Sequence, residues 1–196
     1  MKYIQYTYVD VKTKQPVSKQ PARTGPVHPE GITPTFAVES TFSSGVPTFF
    51  GIAEDSFTPE DWMRETTETD FYNRMRTEFK ERARTKRKQV EQGGIEALPN
   101  LYVKTGIDDQ NRIASLVASI NNDPELVSID FETSPGNWVT FTAEEGLAIG
   151  KAVSKHVQAC FSWCKGIHER LDVIETLEDA LPIVQEIRAF GMESPV

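Results

Sequence analysis

The stretch NWVTFTAEEGLAIGKAVSKHVQACF, residues 137–161, decides the fold. Trp138, Val139 and Phe141 alternate in part with Asn137 and Thr140, which reads as a strand with a packed side. Thr142 then offers a capping hydroxyl, and Glu144 and Glu145 stand in the positive field of a first helical turn. The helix so begun is predicted from about Ala143 to Leu171. A strand running straight into a long helix predicts an α+β domain.

Upstream, VSIDFET (residues 127–133) supplies a second strand, and Ser134-Pro135-Gly136 supplies the turn of a β-hairpin. Further back lies LYVKTGIDDQNRIASLVASI, residues 101–120. Ile95, Leu98, Leu101, Tyr102 and Val103 predict a short strand. Asp108 or Asp109 then caps a helix whose apolar face is Ile113, Leu116, Val117 and Ile120, and Asn121-Asn122-Asp123-Pro124 ends it. Downstream, Thr176 starts a last helix that closes near Phe190-Gly191.

The N-terminal half has another character. Residues 2–11 alternate, rich in aromatic and β-branched side chains, and predict a strand. Residues 12–35 carry Pro16, Pro21, Pro26, Pro29 and Pro34, with Pro47 just beyond, and read as an extended arm. Residues 36–52 read as two short strands about Ser43-Ser44-Gly45. Thr58-Pro59 is a helix-start signal. A longer helix begins near Thr67 or Thr69 and runs to Gln92, where Gly93-Gly94 stops it. At 1.5 Å per residue it spans roughly 37 Å. Its apolar stripe (Phe71, Tyr72, Met75, Phe79, Ala83, Val90) is thin, so the helix wants a partner, either within this chain or in a second copy. The division that follows is a β-rich arm or docking module over 1–57, a helical connector over 58–94 and a C-terminal α+β domain over 95–196.

Composition narrows the function. The 196 residues carry a formal charge of −8, which argues against a nucleic-acid-binding surface across the whole protein. No apolar run is long enough to cross a membrane. The N-terminus is not a signal peptide. Two cysteines four residues apart make no disulfide framework and suit a reducing cytoplasm. RMRTEFKERARTKRK, residues 74–88, is strongly basic. Its thin aromatic interleaving favours a solvated helix face over a nucleic-acid platform, and the acidic ETLEDALPIVQE, residues 175–186, gives it a counterpart within or between subunits.

The residues with chemical potential are few. Asp108 and Asp109 fit a cap and its first turn better than a metal or acid–base pair. His156, Cys160, Cys164 and His168 recur every four residues and form one drifting helical stripe. Adjacent members have the spacing of a chelating pair, but the outer two lie about 18 Å apart along the axis and share no single ion. The reading is a packed stripe. No GxSxG, HExxH, phosphate-loop or dinucleotide pattern occurs. An enzyme, a cofactor and a bound metal are therefore not expected.

The order of a basic helix ending in Gly-Gly, LYVKTGIDDQNRI, NWVTFTAEEGLAI, AVSKHVQACFSW and HERLDVIETLEDA resembles the domain of unknown function DUF4376 over residues 82–185. The N-terminal run VKTKQPVSKQPARTGPVHPEGITPTFAVESTFSSGVPTFFGIAED is similar to the leading segment of small phage tail proteins. The family lies mostly in phage and prophage proteins encoded near tail-fibre genes. The resemblance implies a structural component of a bacteriophage tail, made in the host cytoplasm and attached to fibre or baseplate. Its alternative is a fibre-assembly chaperone absent from the mature virion. On that reading Phe71, Met75 and Phe79 form an oligomer or fibre interface, and Phe36, Phe42, Phe49 and Phe50 anchor the N-terminal module.

Overall fold

The computed structural model describes residues 1–7, 28–38, 48–123, 125–134 and 136–192. The chain divides into two compact units, Met1–Glu78 and Phe79–Val196. The fold class is α+β, as the sequence indicates.

In the first unit, β1 (Lys2–Tyr6), β2 (Ile32–Val38), β3 (Thr48–Ala53) and β4 (Arg64–Thr66) form an antiparallel sheet in the order β2-β3-β1-β4. Register sorts the side chains onto two faces: Tyr6 stands opposite Phe49, and Gln5 opposite Phe50. One face gathers Ile4, Tyr6, Ile32, Phe49 and Ala53 with Met63, closed by Phe57 and Trp62. The other carries Tyr3, Phe36 and Phe50 towards Phe71. The Phe36 and Phe50 rings stack at 4.8 Å, and Phe71 lies 5.3 Å from Phe36 and 4.8 Å from Tyr3. Aromatic side chains thus fill both sides of a small sheet, where each buries a large apolar area.

Two expectations are corrected in this unit. Ile32 to Thr35, read as part of a proline-rich arm, lie in β2. Pro34 is tolerated because β2 is an edge strand of the sheet and its register shifts between Pro34 and Phe36. Thr58-Pro59 starts no helix. The chain makes a turn closed by Phe57 N–H to Glu54 O at 3.0 Å and another by Met63 N–H to Glu60 O at 2.8 Å. It then enters β4 to pair with β1. Helix α1 (Glu68–Glu91) begins only after Thr67, whose hydroxyl accepts the Asp70 amide at 3.1 Å. Pro16, Pro21, Pro26, Pro47, Phe42 and the Ser43-Ser44-Gly45 turn lie outside the described residues.

The second unit contains β5 (Ile95–Leu98), β6 (Leu101–Val103), α2 (Ile107–Asn122), β7 (Ser128–Ser134), β8 (Asn137–Thr142), α3 (Ala143–Asp172) and α4 (Leu177–Ala189). The single strand expected near Ile95–Val103 is a pair of strands, because Pro99 and Asn100 make a two-residue turn with Asn100 at φ 60. Asparagine tolerates that left-handed conformation better than most residues. The β7–β8 hairpin and the Thr142 cap follow expectation. The Thr142 hydroxyl accepts from Glu145 N while the Glu145 carboxylate accepts from Thr142 N, a reciprocal capping box. The α2 cap differs: Gly106 occupies it without a side-chain bond, and Asp108 and Asp109 both stand in the first turn. The chain becomes helical one residue ahead of the aspartates, so neither carboxylate is placed to cap. Val103, Ile113, Phe141, Ile149 and Val153 form the core that joins β6, α2, β8 and α3.

Candidate functional site

Phe36, Phe49, Phe50, Phe71, Met75 and Phe79 are all buried within the chain itself. The α1 stripe is therefore covered by its own chain, and these side chains form no exposed patch. Its thinness reflects a helix tucked into a fold.

The His156–His168 stripe lies on α3 against the second half of α1. The His156 Nε2–H donates to Val90 O at 3.2 Å, and the His168 Nε2–H donates to Lys80 O at 3.3 Å. A ring nitrogen that donates to a carbonyl has no lone pair to offer a metal. Cys160 and Cys164 are buried between the two rings, with Sγ 3.9 Å and 3.7 Å from the neighbouring Nε2. Burial pushes both thiols up, Cys160 further helped by the Glu91 carboxylate and Cys164 opposed by Arg87. Among the described residues no three His, Cys, Asp or Glu side chains converge as a metal-binding group, Asp108 and Asp109 included.

Among the described residues, a surface with the shape of a binding site lies between α2 and α3. Two glycines make it. A Cβ on Gly146 would stand 2.8 Å from Ile120 Cδ1, and one on Gly150 would stand 2.3 Å from Val117 Cγ2. One helical turn apart, they let α2 approach the backbone of α3. Past this close contact opens a groove of about 600 Å³. Its floor is Ile113, Val117, Leu147, Val153 and Val157, and its rim is Gln110, Lys151, Ser154 and Gln158. Leu147 is 38% exposed there. Gln110 is held in place, its Nε2 donating to Thr105 O at 2.8 Å. Thr105 is fully buried and in turn donates to Glu91 O at 2.6 Å and accepts from Gly94 N at 2.8 Å. The Arg87–Glu91 ion pair stands at the same junction, and the Arg87 guanidinium lies 4.1 Å over the Phe161 ring.

An apolar floor with a short polar rim, set between two helices, suits an apolar ridge of a partner polypeptide. The sequence held a signal for it in the four-residue spacing of Gly146 and Gly150. A second apolar feature is Trp138, 65% exposed on the outer side of β8 and opposite Glu132.

The family model for the domain of unknown function DUF4376 matches residues 74–186, more than half of the chain. The chain belongs to the DUF4376 family. Its groove, its α3 stripe and its Thr105 junction all fall inside the DUF4376 match. No curated protein matches the chain, and no solved structure matches it.

Proposed function

We propose that this DUF4376 protein is a structural component of a bacteriophage tail, attached to the tail fibre or baseplate, and that it holds its partner in the α2–α3 groove. Its role is binding rather than catalysis. The observation that carries the binding role is the groove, with an apolar floor left open and one rim residue, Gln110, held by the carbonyl of buried Thr105. The address rests on the family likeness, whose members are expected beside tail-fibre genes in phage and prophage genomes. The protein is made in the host cytoplasm and carried into the virion.

Two measurements test this. Quantitative mass spectrometry of purified virions is expected to find the chain at a fixed ratio to the major tail proteins. Affinity capture of fibre or baseplate protein is expected to fall at least about tenfold for Leu147→Glu, which puts a charge on the groove floor. Absence from virions, with the chain bound to fibre protein in lysates, would replace the structural role by an assembly chaperone. Undiminished capture by Leu147→Glu would remove the groove as the docking site.

A further inference from the structure

The first unit holds a small pocket of another chemistry, outside the DUF4376 match. It is about 200 Å³ in volume and is lined by His28, Glu30, Phe57, Glu60, Trp62 and Met63 among others. Two tight turns build it. The Glu60–Met63 turn folds the Trp62 indole back, so that its Nε1–H donates to Glu60 Oε2 at 2.8 Å. The Glu54–Phe57 turn sets the Phe57 ring against Gly31, where a Cβ would stand 3.1 Å from Phe57 Cδ2. Gly31 has φ 81, so the position favours glycine on two counts. His28 closes another wall. Its Nδ1 lies 2.9 Å from the Tyr6 hydroxyl and its ring meets Phe49 edge to face at 5.0 Å. Burial pushes its imidazole down, which keeps the ring neutral near pH 7.

The walls are thus largely aromatic, and the two carboxylates among the lining residues are Glu30 and Glu60. The Met1 ammonium is taken by Asp55, and Lys2 Nζ donates to Phe57 O at 2.9 Å, so neither of these cations is paired with a lining carboxylate. Glu60 uses one oxygen to hold Trp62, and its Oε1 has no hydrogen bond among the described residues. Aromatic faces beside an open carboxylate form a receptor for an organic cation, which meets the ring quadrupole and the negative charge together. We infer that this pocket receives the cationic head of an Arg or Lys side chain presented by a protein partner. An anionic head would meet two carboxylates, and a neutral apolar one would leave them without a counterion.

The test uses the full chain labelled with ¹⁵N and three indole N–H signals, from Trp62, Trp138 and Trp163, with Trp62 assigned by Trp62→Phe. The probes are N-acetyl-arginine methylamide and its neutral isostere N-acetyl-citrulline methylamide. The arginine derivative is expected to move the Trp62 signal with millimolar affinity, about five- to tenfold tighter than the citrulline one. Glu60→Gln keeps the acceptor for Trp62 but removes the charge, and is expected to erase that preference while the Trp138 and Trp163 signals stay in place. Equal response to both probes would overturn the inference, because the pocket would then be merely apolar. No movement of Trp62 at about 50 mM arginine derivative would overturn it also. So would a response to tetramethylammonium without one to the arginine derivative, which would assign the site to free small cations.

Discussion

Replacing Gly150 by Ala tests whether α2 and α3 meet as closely as their backbones indicate. In an unconstrained helix the change stabilises by about 1 kcal/mol through propensity. At Gly150 the new Cβ would stand 2.3 Å from Val117 Cγ2, well inside the ~3.5–4.0 Å of ordinary carbon contact. Val117 is β-branched and on a helix, so its χ1 has little room to rotate away. The alternative is for α2 to shift against the Ile113–Ile149 core. Overpacking of this kind costs roughly 1–3 kcal/mol, so the net effect is a loss of about 1 kcal/mol. Gly166, on the same helix, has nothing within 4 Å of a built Cβ, so Gly166→Ala should gain about 1 kcal/mol. Removing the obstacle in Gly150→Ala/Val117→Ala should return a favourable coupling of about 1–3 kcal/mol relative to the two single changes. Urea denaturation followed by far-ultraviolet circular dichroism reads all four variants from their midpoints at constant slope. If Gly150→Ala stabilises as much as Gly166→Ala, or the coupling is zero, the tight seam that frames the groove does not exist.

Phe79→Asp puts a carboxylate where the native side chain is 5% exposed, and is expected to cost about 4 kcal/mol or more, removing the cooperative transition instead of releasing folded monomers. A folded, monodisperse Phe79→Asp by light scattering would restore the stripe as a subunit interface. Glu186 accepts the Trp163 Nε1–H at 3.0 Å and Arg170 at 2.6 Å, and Trp163 stacks on Phe190 at 3.7 Å. Glu186→Ala should therefore cost about 1–2 kcal/mol and shift tryptophan emission, whereas an unchanged midpoint would show that the Glu186 bonds add nothing to the apolar packing of α3 and α4. The raised thiols of Cys160 and Cys164 bind protons more firmly in the folded chain than in the unfolded one. Their contribution is complete below the unfolded thiol pKa of about 8.5 and is lost as pH rises beyond it. Stability should fall as pH rises past about 8.5 and on through the raised folded thiol pKa, and Cys160→Ala/Cys164→Ala should flatten that fall; an equal slope in the variant would reject the thiols as its source.

The parts of this fold written in local chemistry were legible. Thr142 with Glu145, Thr176 with Asp179, the Gly93-Gly94 stop and the 127–142 hairpin each depend on residues within a few positions of one another. The parts that depend on distant neighbours were not. Pro34 reads as arm until β3 is known to lie on one side of it only. Thr58-Pro59 reads as a helix start until β1 is seen to claim residues 64–66 as a strand. The groove was hidden for a related reason. Gly146 and Gly150 look like two weak points of a helix, and become a seam only when α2 is placed against them.

The same distinction governs the α1 stripe, and it bears on where a partner binds. An apolar stripe states that a face is covered; it does not state what covers it. Phe71 meets Tyr3, Phe36 and Phe50 of the sheet, and His156 and His168 reach the α1 carbonyls of Val90 and Lys80, so intrachain groups take up that face. A face so occupied offers a partner nothing without unfolding. On the proposed reading, recognition uses side chains the fold leaves outside after its cores are complete. On the DUF4376 domain these include Leu147 in the groove and Trp138 on β8, and on the first unit the rings and carboxylates around Trp62. On the proposed readings, Leu147→Glu should weaken the hold on an apolar ridge and Glu60→Gln the hold on a cationic side chain, each variant leaving the other contact in place.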